Sequence, residues 1–328
     1  MRIGFSLILL TAGIALRSIP SVTALFTGTL ILGAAIAIGN VLLPGLIKRD
    51  FPGNVGLMTG AYSVSMNTFA AFASGITVPI SEDAGLGWRG ALACWVFLSL
   101  LALIVWLPQL RKVHHGGDTG KRDGAIWRSK LAWQVALFMG LQSLLFYVTI
   151  AWFPEILRER GMSEAAAGWM LSLLQFVSLP ASFIIPILAG RSSNQRRLVT
   201  SIVLMSAVGY VGMLIGGLGL IWLWMILIGF AGGAYISLAL TFMGLRTNSA
   251  QKSAELSGMA QSIGYLIASV GPLLFCFFHD ITNDWSVGLG GLLIVSALVF
   301  VAGMGAGRDA VVEDDLKSTA NSTAKSLT

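Results

Sequence analysis

Val22–Ile47 reads VTALFTGTLILGAAIAIGNVLLPGLI, and Leu218–Leu245 reads LGLIWLWMILIGFAGGAYISLALTFMGL. Neither contains an Asp, Glu, Lys or Arg. Each is long enough to cross a hydrocarbon core of about 30 Å as a helix. In lipid a spanning segment must satisfy its own backbone, so such blocks are read as helices. Working outward from the two, one punctuation recurs. Gly33 is followed by Lys48-Arg49, Gly60, Pro79 and Trp88, and Gly229 by Arg246, Gly258, Pro272 and Trp285. Counted from the leading Gly, the offsets are 16, 27, 46 and 55 in the first copy and 17, 29, 43 and 56 in the second. Both copies hold a Gly-rich span, a basic loop, a small-residue span, an acidic loop and a Trp-led span.

The same reading along the chain gives ten candidate spans: Ile3–Leu16, Val22–Ile47, Val55–Ile80, Trp88–Pro108, Leu131–Phe153, Ala165–Ala189, Leu198–Gly216, Leu218–Leu245, Leu256–Phe278 and Trp285–Gly305. Met1–Arg17 has the look of a signal peptide, but a further apolar span follows at once, so it is read as the first spanning helix. The repeat joins the second span to the eighth. An even offset of six gives two halves of like orientation, the layout of the major facilitator fold, whereas ten helices in two inverted halves of five would give an odd offset. The expected fold is therefore all-α and polytopic, with four helices plus six. Residues 1–108 form an N-terminal half, 109–130 a cytoplasmic central loop, 131–305 a C-terminal half and 306–328 a disordered cytoplasmic tail. Leu131 lies 98 residues before Gly229, while only 32 residues precede Gly33. The spacing implies about 66 further residues, or two helices, ahead of the first half.

Composition agrees. The 328 residues are 55% hydrophobic and 11% charged, where a soluble domain carries about 25% charged residues. The net charge of +6 comes from residues scattered over short loops. No basic patch is interleaved with aromatics, so nucleic acid is not an expected partner. Basic connections alternate with neutral or acidic ones, which places both termini in the cytoplasm of a cell (inner) membrane. Cys94 and Cys276 lie in apolar blocks and read as packing residues.

Enzyme readings fail on spacing. Gly116–Arg122 has one residue too few between its glycines for a phosphate loop and lacks the Ser/Thr after Lys. His114-His115 reads as a solvated pair, His279-Asp280 as a capping pair at a helix end, and Gly303–Gly307 lacks the strand that a dinucleotide fingerprint requires. No enzyme activity, cofactor or metal is expected. Gly212/Gly216 and Gly229/Gly233 have the spacing that lets helices approach closely.

Polar side chains inside spans must find a partner or line water. Asn40, Tyr62, Asn67, Gln142, Tyr147, Gln175, Tyr235, Gln261 and Tyr265 are the candidates to face a solute. Gln261 and Tyr265 sit four apart on one helix face. No Asp, Glu, Lys or Arg lies near the middle of any span. Arg191, Arg196 and Arg197, in the loop Gly-Arg-Ser-Ser-Asn-Gln-Arg-Arg, are candidates for a gating latch, although the Asp of the comparable major facilitator motif is absent.

Gly39-Asn40-Val-Leu-Leu-Pro44, Ile47-Lys48-Arg49-Asp50-Phe51-Pro52, Gly56-Leu-Met-Thr-Gly60, Thr77-Val-Pro79 and Gly87-Trp88-Arg89-Gly90 together resemble the cyanate/2-nitroimidazole transporter (CynX/NimT) family. Leu141-Gln142-Ser143, Phe146-Tyr147, Ala151-Trp152-Phe153-Pro154, Pro180-Ala-Ser182, Leu256-Ser-Gly-Met-Ala-Gln-Ser262 and His279-Asp280 extend the resemblance over nearly the whole chain. Trp152 joins the candidate solute contacts. The resemblance implies twelve helices, of which the first two precede Met1, rocker-switch transport, and small, often anionic or heteroaromatic solutes. The expected function is secondary transport of such a solute by a monomer in a lipid bilayer. The alternatives are a transport-inactive truncated membrane protein or scaffold, or a ten-helix drug/metabolite-type transporter.

Overall fold

A computed structural model describes residues 2–82, 87–111 and 125–314. Ten α-helices occupy the ten expected places: α1 (Arg2–Arg17), α2 (Val22–Asp50), α3 (Val55–Glu82), α4 (Gly87–Arg111), α5 (Lys130–Glu159), α6 (Glu164–Gly190), α7 (Arg196–Ile215), α8 (Ile221–Leu245), α9 (Ala250–Thr282) and α10 (Ser286–Ala306). Among the described residues, eight of them are long and apolar enough to span a membrane; α1 is apolar but shorter. Gly116–Arg122, His114 and His115 lie outside the described residues.

Most helices run past the apolar blocks that announced them. Pro154 was expected to open a loop, yet α5 continues through it to Glu159. A buried helix tolerates proline because neighbours re-satisfy the freed backbone groups. Pro44, Pro108, Pro180, Pro186 and Pro272 are likewise internal to helices. Helix starts are set by short polar residues. Ser129, Ser163 and Ser249 accept hydrogen bonds from the amides of Ala132, Ala166 and Lys252, capping α5, α6 and α9. Asn283, at a φ of 51°, turns the chain out of α9.

Two compact units emerge among the described residues. The first draws on Met1–Leu43 and Asn67–Asp123, the second on Pro44–Met66 and Gly124–Thr328. In the first, α1 packs on α4. Gly13 brings α1 close to α2, where a Cβ would lie 2.7 Å from the Leu32 amide nitrogen. The four helices border a cavity of about 450 Å³, lined by Leu10, Ile14, Arg17, Leu32, Trp95 and Ser99 among others.

In the second unit α7 packs on α10 as α1 does on α4, in keeping with the sequence repeat. Helix α5 packs on α8, α9 and α10, and α6 lies along α8. The Gly-xxx-Gly spacings do what was expected of them. A Cβ at Gly229 would lie 2.4 Å from the Leu174 carbonyl oxygen, and one at Gly233 2.1 Å from that of Ser178. Gly212 accommodates the Trp224 indole, 2.1 Å from where a Cβ would stand. Gly140 and Gly264 bring α5 and α9 into contact, with a Cβ on the first 3.0 Å from the Cα of the second.

Residues 306–314, the start of the expected tail, fold back onto the end of α8. Val312 is fully buried and its amide donates to the Arg246 carbonyl at 2.9 Å. Residues 315–328 lie outside those described.

Candidate functional site

The five tyrosines of the chain all lie in the second unit and separate into two groups. Tyr210 and Tyr235 are buried at 2% exposure each. Their hydroxyls are matched within the unit, Tyr210 with Thr149 at 3.3 Å and Tyr235 with Ser206 at 2.6 Å. Phe153 and Phe138 meet their rings edge to face. Tyr210 and Tyr235, with Gln142 and Thr149, line a cavity of about 10 Å³, room for about one water molecule and no more.

Tyr62, Tyr147 and Tyr265 behave differently. Tyr147 and Tyr265 are 44% and 40% exposed, and Tyr62 is half-buried against the core of the unit. The three lie near one another in series, Tyr62 by Tyr265 and Tyr265 by Tyr147. They come from α3, α9 and α5, and Phe146 meets the Tyr147 ring edge-on at 5.5 Å. Each phenol supplies one donor and an acceptor on a flat apolar body.

The amides are turned to local partners. Gln142 is buried; its Nε2 donates to the Met139 carbonyl at 3.1 Å and to Ser143 Oγ at 2.8 Å. Gln261 is 4% exposed and donates to Ser257 Oγ at 2.7 Å. Trp152 donates from Nε1 to the Pro272 carbonyl at 3.0 Å, so its polar edge binds α5 to α9. Gln175 is exposed on α6. Asn40 and Asn67 are half-buried and belong to the first unit. Of the ten expected contacts, the structure therefore groups Tyr62, Tyr147 and Tyr265, and buries Gln142, Tyr235 and Gln261 with internal partners.

At the basic end of the second unit the expected latch residues are exposed: Arg191, Arg196 and Arg197 all lie at the surface. Arg196 alone reaches across, donating from Nε to the Met304 carbonyl of α10 at 3.0 Å. The centre of this end is Arg246, 3% exposed, which the sequence presented as an ordinary loop charge. Its Nε donates to the Ala306 carbonyl at 2.7 Å and a terminal nitrogen donates to Gln195 Oε1. Gln195 in turn donates to the Ala189 carbonyl at 2.9 Å, and its amide donates to the Gly307 carbonyl. Burial pulls the Arg246 guanidinium below its ordinary value, to about 10, still well above neutrality. Arg246 thus joins the end of α8 to that of α10 and, through Gln195, to that of α6. Nothing in the loop sequence marks the pairing, because its members lie 51 and 60 positions apart.

Ten apolar helices carrying a sequence repeat, with polar side chains but no Asp, Glu, Lys or Arg near the middle of a span, describe a multi-pass membrane transporter, and the chain belongs to the Major Facilitator Superfamily, whose family model matches residues 1–272. Within it the chain groups with the cyanate and 2-nitroimidazole transporters. It is 49% identical over 307 residues to the uncharacterized transporter YycB of Bacillus subtilis (strain 168), covering 92% of this chain and 76% of that protein. It is 48% identical to the 2-nitroimidazole transporter of Escherichia coli (strain K12), covering 93% and 78%. The cyanate transport protein CynX of the same organism is more distant, at 24% identity over 90% and 78%. A crystal structure of the transporter FucP in the outward conformation shares the fold, with a TM-score of 0.72 at 14% identity over 93% of this chain and 82% of that one. The relatives are transporters rather than enzymes, and the chain is a membrane-embedded transporter of a small solute.

Proposed function

We propose that this chain carries a small, flat nitroheteroaromatic solute by alternating access. The observation that supports the reading is the grouping of Tyr62, Tyr147 and Tyr265, contributed by three helices, at a depth where the sequence offers no charged side chain. Phenol rings give such a solute flat apolar contact, and their hydroxyls give its ring nitrogen or nitro oxygens donors. A cyanate-like anion would gain more from a fixed cation than from neutral donors. The likeness in sequence points the same way, being twice as high to the 2-nitroimidazole transporter as to the cyanate transporter. Gln142 and Gln261 hold the shape of the wall rather than touch the solute. Gln175 and Trp152 are further candidate contacts of the same unit, and Asn40 and Asn67 are candidates within the first unit. Arg246 with Gln195, and Arg196 on Met304, brace the basic end, which the positive-inside rule assigns to the cytoplasm together with both termini. The working unit is a monomer.

Flux of 2-nitroimidazole into vesicles carrying the full chain tests this. The triple variant Tyr62→Phe/Tyr147→Phe/Tyr265→Phe keeps the aromatic volume and removes three hydroxyls. It is expected to lower flux at subsaturating solute at least ~10-fold, on about 1 kcal/mol for each lost hydrogen bond. Unchanged flux in the triple variant would overturn the site. Absence of flux in the unmodified protein, with cyanate flux present, would overturn the solute class.

A further inference from the structure

At the end of the second unit opposite Arg246, one carboxylate oxygen collects two ring nitrogens. Trp285 donates from Nε1 to Glu159 Oε2 at 2.7 Å. His279 places Nε2 3.8 Å from the same oxygen and Nδ1 3.9 Å from Asp280 Oδ1. The imidazole lies flat on the Trp285 indole, with centroids 3.6 Å apart and planes at 19°. Phe275 stacks on the same indole at 5.6 Å, and Trp152 leans on it at 5.7 Å. The indole is 7% exposed, so it is a fixed platform. Neither the solute site nor the packing of the helices requires a histidine here.

We propose that Glu159, His279 and Trp285 form a proton-binding clamp that joins the terminal arms of α5 and α9 and makes transport sensitive to pH on this face. The arms are Pro154–Glu159 of α5 and Pro272–Thr282 of α9. Each begins at a proline, which removes one helical hydrogen bond and leaves the helix easiest to bend there. The clamp lies past both prolines.

A neutral imidazole at 3.8 Å makes no direct hydrogen bond with Glu159. Once protonated, both nitrogens become donors. The ring then gains attraction to Glu159 and Asp280 and a cation–π contact with the indole beneath it. Histidine is the side chain whose charge changes between pH 5 and 8. The other charged groups at this end are already engaged. Arg158 is bonded to Glu155, which also interacts with His279. Glu164 and Glu159 interact with Arg158. Asp284 receives the Ser286 amide and hydroxyl and faces Arg160, the amide bond above all holding its carboxyl below the usual range. Cys276 Sγ lies 3.7 Å from Asp280. Proton uptake at His279 thus stiffens the joint between the two arms, and the arm motion slows.

The test reads the indole directly, so it stands or falls apart from the identity of the solute. Fluorescence of the purified full chain is titrated from pH 8 to 5, and the Trp285 contribution is taken as the difference from Trp285→Phe. A protonated imidazole stacked on an indole quenches it. The expected result is at least a ~2-fold fall with one midpoint, abolished in His279→Gln. Flux through the unmodified protein should fall at least ~3-fold over the same window, and flux through His279→Gln should stay level. A flat difference signal, or a fall that persists in His279→Gln, overturns the clamp. A signal that titrates while flux does not overturns its role in transport.

Discussion

Gly233→Val is expected to leave almost no folded protein in the membrane fraction. A Cβ at this position would stand 2.1 Å from the Ser178 carbonyl oxygen and 2.8 Å from its carbon. Both are backbone atoms of α6, so no rotamer relieves the clash. Ser182 also donates to the Gly233 carbonyl at 3.2 Å, which fixes the register of the two helices. Overpacking of a well-filled interior costs about 1–3 kcal/mol when side chains yield. Here a helix must move away along its length, and the cost exceeds that range. Gly232 supplies the control. No atom lies within 4 Å of the place its Cβ would occupy, and Gly232→Ala should fold at the unmodified level. Size-exclusion profiles of both variants in detergent decide the matter. Equal monodisperse yields would mean that α6 and α8 are not in contact through Gly233.

Arg246→Ala is expected to lower the thermal midpoint in detergent by several degrees at least. The substitution strips Gln195 Oε1 and the Ala306 carbonyl of their buried donor. A buried polar group left unsatisfied costs about 1–3 kcal/mol, and two are left here. Arg246→Lys keeps the charge but supplies a single point of donation, and should recover less than half of the loss. Arg197→Ala, on an exposed residue of the same end, should change the midpoint by less than a degree. A midpoint unmoved in Arg246→Ala would show that the three helix ends hold together without it.

The ten helices were legible because lipid leaves the sequence few choices. A spanning block must be long, apolar and self-satisfied in its backbone, and each of these can be seen one block at a time. Gly229 and Gly233 were legible as a close approach for the same reason. Their partners, Leu174 and Ser178, were not, since any helix with a small-residue face could have met them. The helix ends were misplaced at Pro154, where proline read as a stop and α5 instead runs on to Glu159. Tyr235 and Tyr265 looked alike in sequence, each a lone tyrosine in an apolar run. Ser206, 29 positions away, satisfies the hydroxyl of Tyr235, while Tyr265 lies 40% exposed beside two other phenols. Arg246 was hidden more deeply. A basic residue after a span is what orientation alone demands, and only the folded ends of α6 and α10 give it a second task.

The absence of Asp, Glu, Lys and Arg from the middle of the spans has an electrical consequence. Moving one elementary charge through the full membrane potential is worth about 2.3 kcal/mol per 100 mV. The spans described above bring no such charge of their own into the field; their ionised groups stay at the ends, where the potential has already levelled off. A neutral solute held by phenols would therefore cross these spans without doing work for or against the voltage. On the proposed reading, the solute's concentration gradient sets the direction and protonation of His279 sets the pace.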